Sequence, residues 1–144
     1  MFMGEYNHSI DAKGRVIIPA KFREQLTGSF VVTSGLDGCL FGYGQEAWER
    51  MERYLSSLPM TNRDARKFTR YILGNAATCE FDKQGRVLIP QKLREAAGIT
   101  TDVVLAGTGD RFEIWSPERW AEAASYDDIE VIAEKLEEIG RGAD

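Results

Sequence analysis

Two short basic segments hold the residues most able to do chemistry. Residues 11–24 read DAKGRVIIPAKFRE and residues 82–95 read DKQGRVLIPQKLRE. The first sets Lys13 and Arg15 around Gly14. The second sets Lys83 and Arg86 beside Gly85, with Gln84 where the first has Lys13. Lysine is a mobile point charge suited to phosphate, and the planar fork of arginine matches guanine O6 and N7. The leading Asp11 and Asp82 suit local capping of the turn backbone, and the glycines suit positive φ. A basic turn on its own is most often just a solvated turn. Two copies in one chain favour a paired grip on a repeated anionic partner, and Gly14 would let the backbone approach that partner closely.

The chain is written twice. Nine of the fourteen positions in these segments are identical, at an offset of 71 residues. The match continues more weakly at an offset of 72: Val31-Val32 aligns with Val103-Val104, Gly35 with Gly107, and the Glu46/Trp48 pair with Glu118/Trp120. A period of half the chain predicts two similar modules related by a pseudo-twofold axis.

Each module reads in the same order. Extended residues enter the Asp-to-Gly turn, and the β-branched run Arg15–Ile18 leaves it as a strand, so the pair reads as a hairpin. Val16, Ile18, Val87 and Ile89 are expected in the core. Pro19 and Pro90 stop the strand and open a short helix that ends near Gly28 or Gly98. A second strand pair follows around Leu36-Asp37-Gly38, and again around Gly107–Asp110. Arg23 and Arg94, on the short helices, are expected to pair with Asp11 and Asp82 and so fix turn to helix. Lys21 and Lys92 read as solvated. The units are 5–47, linking helices 48–75, a second module 76–119 and an acidic C-terminal helix 120–144. Apolar stripes on the helices, including Trp48, Met51, Leu55, Ile129, Ile132 and Leu136, read as core. Arg63, Arg66, Lys67 and Arg70 form a charged face, expected to be solvated.

Composition narrows the options. With 43% apolar and 28% charged residues the chain is neither disordered nor membrane-embedded. The opening MFMGEYNHSIDAKGR has no basic start followed by an apolar block, so no export signal is expected. Cys39 and Cys79 then read as reduced, small apolar residues. One histidine, no phosphate loop and no nucleophile elbow leave no catalytic residue, metal site or cofactor to propose. Asp11 and Asp82 share one turn context, which suits capping better than acid–base work. The net charge of −5 is uneven. From Asp110 onward eleven acids face four bases, a net −7, which leaves +2 on residues 1–109. For attraction to DNA the local field counts for more than the total.

The doubled D-x-x-G-R-V-x-I-P-x-K-x-R block resembles the MraZ family, and each half resembles the wider AbrB/SpoVT swapped-hairpin class. The resemblance covers essentially the whole chain. It implies an α+β fold: a double-split, swapped-hairpin β-barrel formed by two SpoVT-AbrB-like repeats, with flanking helices. It implies a homo-oligomer, a ring, that binds double-stranded DNA at promoter direct repeats before the division and cell-wall gene cluster and regulates transcription, usually as a repressor. By motif position the DNA-contacting role falls on Lys13, Arg15 and Arg86, with Lys83 beside the departure at Gln84. Asp11, Gly14, Arg23, Asp82, Gly85 and Arg94 take structural roles. Such a protein is cytoplasmic and nucleoid-associated, with no membrane partner. The competing reading is a protein-interaction module, an AbrB-like antitoxin or an assembly hub, which has no need of cationic tips in both halves.

Overall fold

The computed structural model describes residues 1–142, and the end of the expected C-terminal helix, residues 143–144, lies outside them. The first module supplies β1 (Glu5–Ser9), β2 (Arg15–Ile17), α1 (Ala20–Arg23), β3 (Ser29–Ser34) and β4 (Leu40–Tyr43). Helices α2 (Gln45–Ser57) and α3 (Arg63–Gly74) link it to β5 (Ala77–Glu80), β6 (Arg86–Leu88), α4 (Gln91–Ala96), β7 (Asp102–Gly107) and β8 (Phe112–Trp115). Helices α5 (Pro117–Ala123) and α6 (Ile129–Gly142) close the chain.

The modules exchange strands. A six-stranded antiparallel sheet runs β1-β7-β8-β4-β3-β5, so each module's first strand lies on the other module's sheet. β2 and β6 form a separate antiparallel pair. This corrects the expected hairpin. β1 does not run beside β2; a single bridge, Ile10 to Val16, joins the segments. The reason is length. β2 offers three residues to pair with, whereas β7 matches all five of β1 along one edge of its backbone. The registers place the pseudo-twofold between Val16 and Val87 in one sheet and between Phe41 and Glu113 in the other.

Between the sheets lies one core shared by both modules. Val16, Ile18, Val87 and Ile89 are at most 1% exposed. Phe22 of α1 packs on Phe112 of β8 at 5.2 Å between ring centroids, and Phe2 joins both rings. Dispersion and apolar burial across the module boundary thus make the halves interdependent. Cys39 and Cys79 are buried and free, and burial pushes each thiol up to about 12.

The C-terminal segment departs from expectation twice. The anticipated single helix is two, because Ser125, Asp127 and Asp128 fall between α5 and α6, and such residues favour caps and turns. The stripe on α6 is also not core: Ile129, Ile132, Leu136 and Ile139 are all exposed.

Candidate nucleic-acid interface

The two turns are built alike. Asp11 Oδ1 accepts the backbone N–H groups of Lys13 (3.0 Å) and Arg15 (2.9 Å), and its Oδ2 accepts Arg15 Nε at 2.8 Å. Asp82 accepts Gln84 N and Arg86 N, both at 2.9 Å, and Arg86 Nε at 2.8 Å. The turns are closed by Gly14 N to Asp11 O and Gly85 N to Asp82 O. The Arg15 backbone amide, and then its side chain, holds the Asp11 carboxyl below its usual 3.8, and Arg86 does the same for Asp82. Lys13 and Gln84 occupy equivalent places, so Lys83 sits one residue earlier in its turn than Lys13 does.

With three donors each, Asp11 and Asp82 do not pair with Arg23 and Arg94. Those arginines instead donate Nε to the carbonyls of Ile18 and Ile89, both at 2.9 Å. Their guanidinium groups cross the twofold. Arg94 lies over Gly14 and Arg23 over Gly85. A Cβ on Gly14 would stand 2.6 Å from Arg94 Cζ. Both glycines have positive φ, 89° and 78°. The buried face of Gly14 is therefore taken by Arg94 of the other module, not left open for an outside partner. Arg15 and Arg86 turn out to be held by their own turns, and the composite of two modules is locked by Arg23 and Arg94.

The β2–β6 register sets Arg15 opposite Leu88 and Ile17 opposite Arg86. Directly opposed residues share a face, and faces alternate along a strand. Val16 and Val87 point into the core, so Arg15, Ile17, Arg86 and Leu88 share the outer face. The arginine side chains are 30% and 27% exposed. They lie diagonally, about 7 Å apart along the strands by ordinary β spacing. Lys13 and Lys83 are exposed at the two ends. Six cations (Lys13, Arg15, Arg23, Lys83, Arg86, Arg94) against two carboxylates give this patch a local charge of +4 on an acidic chain. An antiparallel ribbon of this width is the size of element a DNA major groove admits. Lys21 and Lys92 are exposed on the short helices, and Arg63, Arg66, Lys67 and Arg70 are exposed on α3, away from this ribbon in sequence and in sheet pairing.

Sequence reasoning missed Ile17 and Leu88, although alternation along Arg15-Val16-Ile17-Ile18 already puts Ile17 opposite in facing to Val16. It also missed Arg119, which donates Nη1 to the carbonyls of Gly38 (2.9 Å) and Ala96 (2.8 Å) and ties the β3–β4 turn to α4. No local pattern announces a contact spanning 81 residues.

The MraZ protein family, described as antitoxin-like, matches twice, over residues 1–71 and 72–141. The chain is similar to proteins named transcriptional regulator MraZ: at 55% identity in Thermoanaerobacter sp. (strain X514), over 96% of this chain and 99% of that one; at 54% in Lachnoclostridium phytofermentans, over 97% and 98%; and at 56% in Ligilactobacillus salivarius, over 90% and 94%. A likeness to the solution structure of PHS018 from Pyrococcus horikoshii is slight, at TM-score 0.33 and 19% identity over 79% of this chain and 88% of that one, and carries no argument. Two family matches in tandem and near full-length identity above half with named regulators leave one conclusion: the chain belongs to the MraZ family.

Proposed function

We propose that this chain is a sequence-specific regulator of transcription, usually a repressor, that binds double-stranded DNA at direct repeats in the promoter of the division and cell-wall gene cluster. The observation that carries the reading is the β2–β6 ribbon. One strand from each module brings Arg15 and Arg86 to one solvent face, with Lys13 and Lys83 at its ends. The names of the relatives support the regulatory role. In this reading arginine contacts guanine edges, lysine neutralises phosphate, and the protein is no enzyme and uses no cofactor. It works in the cytoplasm, at the nucleoid. The exchanged strands support reading the two sheets as a double-split β-barrel in which both modules of one chain make the unit.

The same reading includes a homo-oligomer, a ring. Its support is α6, whose apolar stripe is exposed among the described residues while Glu130, Glu134 and Glu138 line the helix. A groove of 360 Å³ between α2 and α3 is lined by the apolar Leu55, Leu58 and Met60 together with the basic Arg66 and Arg70. Its charge complements α6, so a second copy's α6 is the occupant proposed for it.

The deciding experiment is a mobility-shift titration on DNA from upstream of the chain's own gene. Wild type shifts it with strong salt dependence. Arg15→Ala loses the specific shift and keeps its size by light scattering. Undiminished binding by Arg15→Ala refutes the mechanism.

A further inference from the structure

The outer face of the ribbon holds two side chains that folding does not account for. Ile17 is 43% exposed and Leu88 is 54% exposed, at the centre of a patch otherwise made of cations. Neither packs into the core; their inward neighbours Val16, Ile18, Val87 and Ile89 already fill it. The register makes the face a two-by-two square, with Arg15 beside Leu88 and Ile17 beside Arg86. The hydrogen bonds Ile18 N to Gly85 O and Ile89 N to Gly14 O flank these pairs. Those bonds mark positions 14/89 and 18/85 as hydrogen-bonded pairs. Residues 15/88 and 17/86 are then the non-hydrogen-bonded pairs, whose side chains stand closest, with Cα atoms about 4.5 Å apart. Each arginine fork is therefore fixed next to one branched apolar group, and the pattern repeats about the twofold.

We infer that Ile17 and Leu88 are specificity-determining residues that read thymine methyl groups in the major groove beside the guanines held by Arg86 and Arg15. The inference rests on the proposed DNA-binding role of the ribbon and adds a second base to what each half reads. The chemistry is selective. In the major groove the C5-methyl of thymine is the one apolar feature among the four bases, and an aliphatic side chain gains by burying against it. A serine or lysine would serve as well for phosphate, and a polar residue would keep the face better hydrated. An aliphatic residue at both twofold-related positions suits a methyl. Ile17 is branched at Cβ and Leu88 at Cγ, so the two halves differ in reach and need not read identical steps.

The test uses two duplexes amplified from upstream of the chain's own gene, one with dTTP and one with dUTP. The second lacks every thymine methyl and keeps every hydrogen-bonding group. Wild type is expected to bind the uracil duplex about 4- to 15-fold more weakly, one to two methyls at ~0.8 kcal/mol per buried carbon. The variant Ile17→Ser/Leu88→Ser is expected to bind the thymine duplex more weakly by a similar factor and to bind both duplexes equally. Equal binding of the two duplexes by wild type overturns the inference and leaves the DNA reading intact. So does a serine variant that still prefers thymine, or one whose main change is a smaller particle by light scattering, which would assign the pair to contact between copies. Wild type that binds neither duplex above a random sequence removes the DNA reading itself, and this inference with it. The duplex comparison uses unaltered protein, so it decides the matter even if the serine variant folds poorly.

Discussion

Alanine at position 14 measures how tightly the two modules are locked, and a second glycine supplies the reference. Gly28 has φ +78° and nothing within 4 Å of a Cβ built on it. Gly28→Ala therefore costs the left-handed backbone penalty alone, about 1–2 kcal/mol, reduced by several tenths because alanine also restricts the unfolded chain. Gly14 has φ +89° and carries the same penalty, but its Cβ also meets Arg94 at 2.6 Å. A contact that short cannot persist, so the guanidinium must move, and its 2.9 Å bond to the Ile89 carbonyl is lost. A hydrogen bond to a charged group is worth about 1.5–3 kcal/mol, and partial exposure of Arg94 argues for the lower end. The sum is about 3 kcal/mol for Gly14→Ala against about 1 kcal/mol for Gly28→Ala. Urea unfolding followed by tryptophan fluorescence, at one fixed protein concentration so that association adds equally, reads both. At this chain length the difference corresponds to roughly 6 °C in Tm. Combining Gly14→Ala with Arg94→Ala removes the collision, so in that background the glycine change should cost no more than Gly28→Ala does. Equal costs for Gly14→Ala with and without Arg94 would refute the cross-module clamp.

Three further outcomes are expected. Asp11 and Asp82 titrate below the usual 3.8 because their own turns' amides and arginines favour the carboxylate. Their stabilising effect is therefore complete above about pH 4 and lost as pH falls through the lowered values, so Tm of Asp11→Asn/Asp82→Asn should be lower than wild type at pH 7 and converge with it in acid. Lys13→Ala should weaken binding to specific and random duplexes alike and reduce the slope of log K against log salt by about 0.9, read by fluorescence anisotropy. Leu136→Glu, on the exposed stripe of α6, should shrink the particle seen by light scattering and leave circular dichroism unchanged; an unaltered particle would remove α6 from the proposed interface.

What the sequence disclosed followed periodicity and local turn chemistry. The doubled block announced two modules, because nine identities at a single offset arise from one cause. Ser116-Pro117-Glu118 has the cap, proline and acid order of a helix start, and α5 begins there, with Ser116 accepting the Arg119 amide at 3.2 Å. Val16 and Ile18 were legible as core from alternation and from the proline that follows. Partner choice was not legible. The pattern of Asp11-to-Ile18 is equally that of a simple hairpin, and only the reach of β7, which pairs with all five residues of β1, against the three residues of β2 decides where β1 goes. Arg23 and Asp11 have complementary charges at a plausible spacing, yet the turn amides reach Asp11 first because they are fixed two and four residues away. The α6 stripe has correct helical spacing for a core helix, and spacing says only that a face is apolar, not which molecule covers it.

The ion pairs that hold Arg15 and Arg86 bear on how an acidic chain could select DNA. Each carboxylate takes Nε and cancels part of its arginine's charge, which lowers attraction to any phosphate. In exchange the fork is fixed before a duplex arrives. A free arginine gives up about 1.5–2 kcal/mol of rotamer freedom when it is ordered, and one already pinned through Nε gives up little of it on binding. Among the described residues no carbonyl or carboxylate is bonded to the terminal nitrogens of either arginine, so the two donors that match guanine O6 and N7 stay available. On the proposed DNA-binding reading, attraction and discrimination are carried by different groups. Lys13, Lys83 and the crossing Arg23 and Arg94 supply field, and the pinned pair supplies geometry. The −5 total does not oppose that reading, because the negative excess, a net −7, lies on residues 110–144, while the ribbon carries +4. That division predicts weak attachment to random sequence, which is the condition under which a few correctly placed donors can decide where the protein stays.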